Sequence, residues 1–384
     1  MPPDEHDPYL LDTVLRSCDL LKVFRSEGET LRLKDLVERT GLHKSVVFRL
    51  VHTLERGGLL QRSGDLRYRS MVQWLGRSRF KIGYAAQAQD SPFSDAVTES
   101  LSHAASREGI ELVILNNRYS AKAALANAER LIHERVDLAM EFQTFDKVAP
   151  IIGSRFHEAG IPLIAIEIPH PGATYYGANN FQAGLCAGRM LARWAKRQWD
   201  GAVEEILVLE LRIAGPVPQL RLTGLETGLR EVLPHLRRDI FVHLDTKGDF
   251  SCALDLVRKR LRRTPARKTL IGAINDPSVL GALRAFEEAG RLADCAAAGM
   301  GAIAEARAEM RRPGARLIGS VAFFPERYGD ALIRLAIDIL SKKPVPPAVY
   351  ADYRLVTPVN LDQLYPVSLE TVGGEDFVLR RAFH

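Results

Sequence analysis

The stretch GLHKSVVFRLVHTLERGGLL, residues 41–60, places Val47, Leu50, Val51 and Leu54 on one side of a helix and Ser45, Arg49 and His52 on the other. The apolar set recurs at three- and four-residue spacing, which marks the buried face of an amphipathic helix. Gly57-Gly58 stops it. A solvated surface helix usually mixes carboxylates into its polar face, but here the only one is Glu55, near the end.

The charge around this helix is uneven. Residues 43–81 hold Lys44, Arg49, Arg56, Arg62, Arg67, Arg69, Arg77, Arg79 and Lys81 against Glu55 and Asp65, while the whole chain carries a net charge of only +5. A localised basic patch beside an amphipathic helix is the electrostatic footprint of phosphate binding. At 384 residues the chain is too long for one typical core, so two or three folding units are expected. The N-terminus is acidic and has no apolar run of signal-peptide length, and no stretch is long and apolar enough for a membrane span. Cys18, Cys186, Cys252 and Cys295 are scattered without metal or redox spacing. A cytoplasmic protein with reduced thiols is expected.

Working outward, a first helix is expected over about residues 9–26, with Leu11, Val14, Leu15, Leu20, Leu21 and Phe24 as its apolar set. TLRLKDLVERTG, 30–41, supplies a short extended piece and a second helix closed by Gly41. After the quoted helix, LLQRSGDLRYRS, 59–70, alternates around Ser63-Gly64-Asp65, a hairpin with basic arms. Together these describe a winged helix-turn-helix. The run LKDLVERTGLHKSVVFRLVHTLERGGLLQR resembles the DNA-binding domain of IclR-type transcription regulators. The resemblance rests on Thr40, Gly41, Leu42, Lys44, Ser45, Val47, Arg49, Leu50, Leu54 and Gly57. It implies that Lys44, Ser45, Phe48 and Arg49 lie in or beside the major groove, with Arg67 and Arg69 of the wing on the backbone. Phe48 is open between a thymine-methyl contact and packing against the first helix.

From Phe80 the pattern changes. Short apolar runs such as ELVILNN, PLIAIEIP, EEILVLEL and TLIGAIND alternate with helical stretches, which predicts buried parallel strands in βαβ units. Two sets of about four units and a returning strand predict an α/β protein whose second domain has two doubly wound lobes around a cleft. The region resembles periplasmic sugar-binding proteins and the effector domains of lactose-repressor-type regulators. The matching segments are KIGYAAQAQDSPFSDAV, GIPLIAIEIPHPGATYYGANNFQAG, RLTGLETGLRE, AINDPSVLGALRAFEEAG and GSVAFFPERYGDAL. The expected organisation is a winged helix at 1–72, a linker at 73–79 including Trp74 and Leu75, a two-lobed domain at 80–366 and a tail at 367–384. Lobe crossings are expected near 179, 318 and 346.

The resemblance implies ligand binding beyond the strand ends, and polyol chemistry suits the residues there. Hydroxyls donate and accept, matching Asp, Asn and Arg side chains with an aromatic against the ring face. Ser91 and Phe93 follow the first strand, Glu141 and Gln143 the third, and Glu167 the fourth. Asn179 sits at the first crossing, Arg221 opens a helix of the second lobe, and Asn275 and Asp276 end a strand. Each of these is open between ligand contact and a cap or turn role. Phe323 stands where the family often has Gln, Gly301 where it has Asp and Ile168 where it has a basic residue. A methylated, deoxy or larger glycoside, or a non-sugar polyol, therefore fits better than a simple ribose or glucose.

The expectation is a cytoplasmic, ligand-responsive transcription factor, acting as a homodimer on palindromic operator DNA, with no enzymatic activity and no cofactor. The substrate-binding component of a carbohydrate transporter shares the second domain but has no use for a winged helix. A nicotinamide enzyme has one foothold, GMGAIA at 299–304, which matches a dinucleotide fingerprint but lacks the acid that should follow it.

Overall fold

The computed structural model describes residues 11–24, 29–64, 66–72, 80–88 and 91–366. The linker at 73–79, with Trp74 and Leu75, and the tail at 367–384 lie outside the described residues. The chain forms two units, one within the first 80 residues and one from Lys81 onward.

The first unit begins with α1 (Asp12–Lys22), β1 (Thr30–Arg32), α2 (Leu33–Thr40) and α3 (Lys44–Arg56). It ends with the wing strands β2 (Leu60–Ser63) and β3 (Arg67–Ser70). The three strands form an antiparallel sheet in the order β1-β3-β2. Gly41 ends α2 in the left-handed conformation at φ 67°, the backbone geometry that turns the chain toward α3. Leu20, Phe24, Leu36, Val47, Leu50, Val51, Leu54, Leu60 and Tyr68 close one core. The first helix departs from expectation. Leu11, Val14 and Leu15 are exposed, because only its C-terminal half, through Leu20, reaches that core.

In the second unit the first lobe alternates strand and helix. It runs β4 (Lys81–Ala86), α4 (Pro92–Arg107), β5 (Glu111–Asn116), α5 (Ala121–His133), β6 (Leu138–Glu141), α6 (Ala149–Glu158), β7 (Leu163–Ile166) and β8 (Thr174–Gly177). The second lobe follows with α7 (Asn180–Gln198), β9 (Glu205–Glu210), α8 (Pro216–Val232), β10 (Phe241–Asp245), α9 (Phe250–Leu261), β11 (Thr269–Ala273), α10 (Asp276–Glu288), β12 (Cys295–Gly301), α11 (Ala304–Arg311) and β13 (Leu317–Ala322). The chain then returns through α12 (Tyr328–Leu340) and β14 (Ala348–Tyr350) before crossing again to β15 (Arg354–Val356).

The sheets run β14-β8-β7-β6-β4-β5 and β10-β9-β11-β12-β13-β15. The second is parallel except for β15, which pairs antiparallel with β13. Strands β6, β7, β9, β11 and β12 are buried at every residue, which is why they read as unbroken apolar runs. The chain passes between lobes at three places: 178–179, between β13 and α12, and 351–353. The second and third lie later than the positions near 318 and 346 read from the sequence. Ile318 is inside β13, whose pairing with β12 keeps the chain in the second lobe up to Ala322, and β14 holds it in the first lobe up to Tyr350.

Helices α7 and α8 approach so closely that a Cβ at Gly184 or Gly188 would run into the carbonyls of Arg221 and Leu225. A Cβ at Gly224 or Gly228 would meet those of Phe181 and Leu185. This contact sets where Arg221 stands.

Candidate ligand cleft and DNA-facing helix

On the first unit, α3 turns Lys44, Ser45, Phe48, Arg49 and His52 to solvent. His43 caps the helix by accepting from the Ser45 amide, and its Nδ1 lies 2.7 Å from Ser45 Oγ. Phe48 is 57% exposed and stands outside the core of this unit. Lys44 and Arg49 form no ion pair among the described residues, and this leaves their charge for a partner. The two wing arginines are more occupied. Arg67 donates to the Thr30 carbonyl at 3.3 Å and ties the wing to β1, and Arg69 donates across the hairpin to Gln61. Both can still present a positive face to a phosphate.

Between the lobes of the second unit lies a cleft of about 880 Å³. The lobes touch beside it, where Ala149 and Ile168 of the first pack with Leu211 and Ala214 of the second. At its buried inner end Glu167 accepts from Arg221 Nη2 at 2.9 Å, from Tyr328 Oη at 2.7 Å and from the Ala178 amide at 3.2 Å. Arg221 also donates to Asn180 Oδ1 at 2.6 Å and to the Ile274 carbonyl at 3.2 Å, and it stacks 4.9 Å above the Phe323 ring. Glu167 is held at φ 63°, a left-handed backbone that a non-glycine residue adopts only where the surroundings enforce it. Phe93 forms the facing wall, edge-on to Phe142 and Tyr328. Asn275 caps α10 by accepting from the Ser278 amide, and its amide nitrogen donates to the Gly248 carbonyl.

Of the candidates read from sequence, the cleft brings together Ser91, Phe93, Glu167, Arg221, Asn275 and Phe323. Four others are placed elsewhere. Glu141 is fully buried and accepts from Asn117 Nδ2 at 2.7 Å, and Gln143 is turned back onto the Phe145 amide. Their neighbours Phe142 and Thr144 line the cleft instead. β6 ends at Glu141, and the irregular segment beyond it turns Phe142, Thr144 and Phe145 to the cleft. Asn179 caps α7 by accepting from the Gln182 amide, while the adjacent Asn180 meets Arg221. Asp276 is buried behind the wall. It accepts from Ser320 Oγ at 2.7 Å and from the Ile303 amide at 2.9 Å.

That last contact also removes the dinucleotide reading. The amide at the start of α11, where a pyrophosphate would sit, is already taken by the Asp276 carboxyl, and a Cβ at Gly299 would run into the same group. The glycines of GMGAIA make room for Asp276.

Other lining residues were not anticipated: Gln87, Tyr119, Thr144, Asp245, Lys247 and Asp249. Their signal was present, since each lies just beyond an apolar run that ends as a strand, the place where ligands meet such sheets. Asp245 accepts from the amides of Arg212 and Lys247, Asp249 caps α9, and Gln87 donates to Thr144 Oγ1 at 2.7 Å. No described helix is long and apolar enough to cross a membrane.

A family model of the IclR helix-turn-helix domain matches residues 13–64, and one of a periplasmic binding protein domain matches 82–344. Neither family is enzymatic. No curated protein matches the chain. Among solved structures, a transporter solute-binding protein from Bacillus halodurans with bound myo-inositol aligns at TM-score 0.65 and 22% identity, over 75% of this chain and 97% of that one. One from Actinobacillus succinogenes with bound D-allose aligns at TM-score 0.65 and 17% identity, over 74% and 100%. A third, from Agrobacterium vitis with bound allitol, aligns at 0.65 and 19%, over 74% and 97%. These likenesses establish the fold. The chain belongs to the periplasmic binding protein domain family, and the same chain carries an IclR helix-turn-helix domain before it.

Proposed function

We propose that this protein is a transcription regulator that binds operator DNA through its winged helix and responds to a sugar or related polyol held between the two lobes. One observation carries the reading: a single chain joins a helix that exposes Lys44 and Arg49 to a cleft lined by Arg221, Glu167 and Asn275 together with Phe93 and Phe323. A transport receptor has no use for the first half, and DNA binding by the first half accords with a cytoplasmic protein. The polyols bound by the similar solute-binding proteins accord with the second half.

In this reading residues 1–72 are the DNA-binding domain, 73–79 the linker, 80–366 the effector domain and 367–384 a tail. Lys44, Ser45, Phe48 and Arg49 enter the major groove, with Arg67 and Arg69 on the wing's phosphates. Ser91, Phe93, Glu167, Arg221, Asn275 and Phe323 hold the ligand. A homodimer places two heads on an inverted repeat. Selection of randomised duplexes by the full-length protein, with and without a panel of sugars and polyols, tests this. The expected outcome is enrichment of an inverted repeat whose occupancy changes with one member of the panel. Enrichment of no sequence at all sinks the regulator reading.

A further inference from the structure

The cleft holds the Glu167–Arg221 pair at its inner end, and at its mouth large apolar side chains stand beside the charged Asp245, Lys247 and Asp249. Glu167 at the inner end is only 8% exposed and Arg221 pairs with it, whereas three large apolar side chains lining the same cleft remain open to solvent. Tyr119 of the first lobe is 42% exposed, and Ile213 and Phe250 of the second are 49% and 39% exposed. Phe145, half-buried, stands edge-on to Tyr119 at 6.1 Å and completes an aromatic corner on the first lobe. The corner is held in place. The Tyr119 amide donates to the Gln87 carbonyl at 3.0 Å, and Arg118 and Tyr119 both take the left-handed backbone, at φ 51° each. Two successive non-glycine residues there are costly unless a fixed loop is needed. A free monosaccharide, hydroxylated all round, gives such a mouth nothing to cover. The inner charges also neutralise each other, so no unpaired charge at that end calls for a charged ligand.

We infer that the ligand is a neutral glycoside that enters sugar first and lays an aromatic or alkyl aglycone against Tyr119, Phe145, Ile213 and Phe250. This rests on the sugar or polyol reading of the inner cleft. The sugar ring meets Phe93 with its hydroxyls toward Arg221, Glu167 and Asn275, and the aglycone leaves water where the apolar rim is exposed. The cleft volume of about 880 Å³ has room for both parts.

The test is calorimetry on the full-length protein with pentoses, hexoses and polyols, then with the α- and β-phenyl glycosides of the same sugars, and with phenol alone. The expected result is a phenyl glycoside that binds about tenfold or more tightly than its free sugar. Tyr119→Ala and Ile213→Ser, both at the exposed rim, are expected to remove most of that gain and leave free-sugar affinity unchanged. Free sugars binding as tightly as every glycoside would overturn the aglycone site and leave the sugar reading standing. Phenol binding as tightly as the glycosides would overturn the sugar reading itself. Binding by none of these compounds would overturn both.

Discussion

Burial raises the pKa of the Glu141 carboxyl to about 8, against the pull of the Asn117 hydrogen bond in the other direction. The folded chain therefore keeps a proton that the unfolded chain releases near pH 4.5. Stability from this group is present below that point and is lost as pH rises toward 8, by on the order of a few kcal/mol. Glu141→Gln is expected to melt at a temperature that varies less between pH 5 and 8 than wild type, and higher at pH 8. Parallel pH-dependence in the two proteins would count against a neutral Glu141. Asp276, raised by burial to about 6 despite its hydrogen bond from Ser320, adds to the same trend over a lower range. Its role is structural. Asp276→Ala strips partners from Ser320 Oγ and the Ile303 amide, so it should cost on the order of 2–5 kcal/mol in chemical denaturation. Its ligand affinity should hold, and a variant of normal stability that no longer binds ligand would return Asp276 to the site. Arg221→Ala should do both kinds of damage, because it leaves Glu167 buried without its cation, at about 3–5 kcal/mol, and removes the fork at the inner end of the cleft.

Two elements bear on the proposed function by their placement. The polar face of α3 presents Lys44 and Arg49 to solvent. Arg49→Ala is expected to cost about 1–3 kcal/mol of operator binding, and Lys44→Ala to weaken all duplexes alike and flatten the salt dependence. Titration at several salt concentrations separates the two, and unchanged affinity in both would remove α3 from the interface. The α7–α8 pair positions Arg221 by glycine. Gly224→Ala would press a methyl group against the Phe181 carbonyl, forcing the helices apart at a cost of roughly 1–3 kcal/mol or more, and ligand affinity should fall with it. Thermal melts and calorimetry on this variant check both effects. At this scale sequence patterns are informative about type and poor about phase. The run DLAMEFQTF announces a buried strand, but whether Glu141 and Gln143 or Phe142 and Thr144 face the cleft is set by the irregular turn after the strand, which periodicity does not encode.

For the whole molecule, the proposed regulation requires that the cleft and α3 be coupled. Coupling between sites is reciprocal, so the factor by which the ligand alters operator affinity should equal the factor by which operator DNA alters ligand affinity. Measuring both with one ligand and one duplex tests this directly, and a ligand that binds the cleft with no effect on DNA affinity would dissociate the two halves. Sedimentation at micromolar concentration should show a homodimer, since two heads double the phosphate and base contacts available to one.

Composition, periodicity and order of motifs in the sequence were enough to determine a winged helix followed by two parallel-sheet lobes, because both patterns are local. Helical spacing names the buried side of α3, and continuous apolar runs name strands covered on both faces. They were also enough to single out Arg221 and Glu167, which stand beside motifs with a defined place in the fold. What only the tertiary structure decided is which polar groups are already spent. Asp276, Asn179 and Gln143 read as ligand donors in one dimension, yet each satisfies backbone or side-chain partners that arrive from elsewhere in the fold or from a helix start. The apolar rim joins Tyr119 of the first lobe to Ile213 and Phe250 of the second, positions far apart in the chain that the fold brings to one opening. Which polar groups already meet a partner, and which of those also face the cleft, depends on neighbours that only the folded chain supplies.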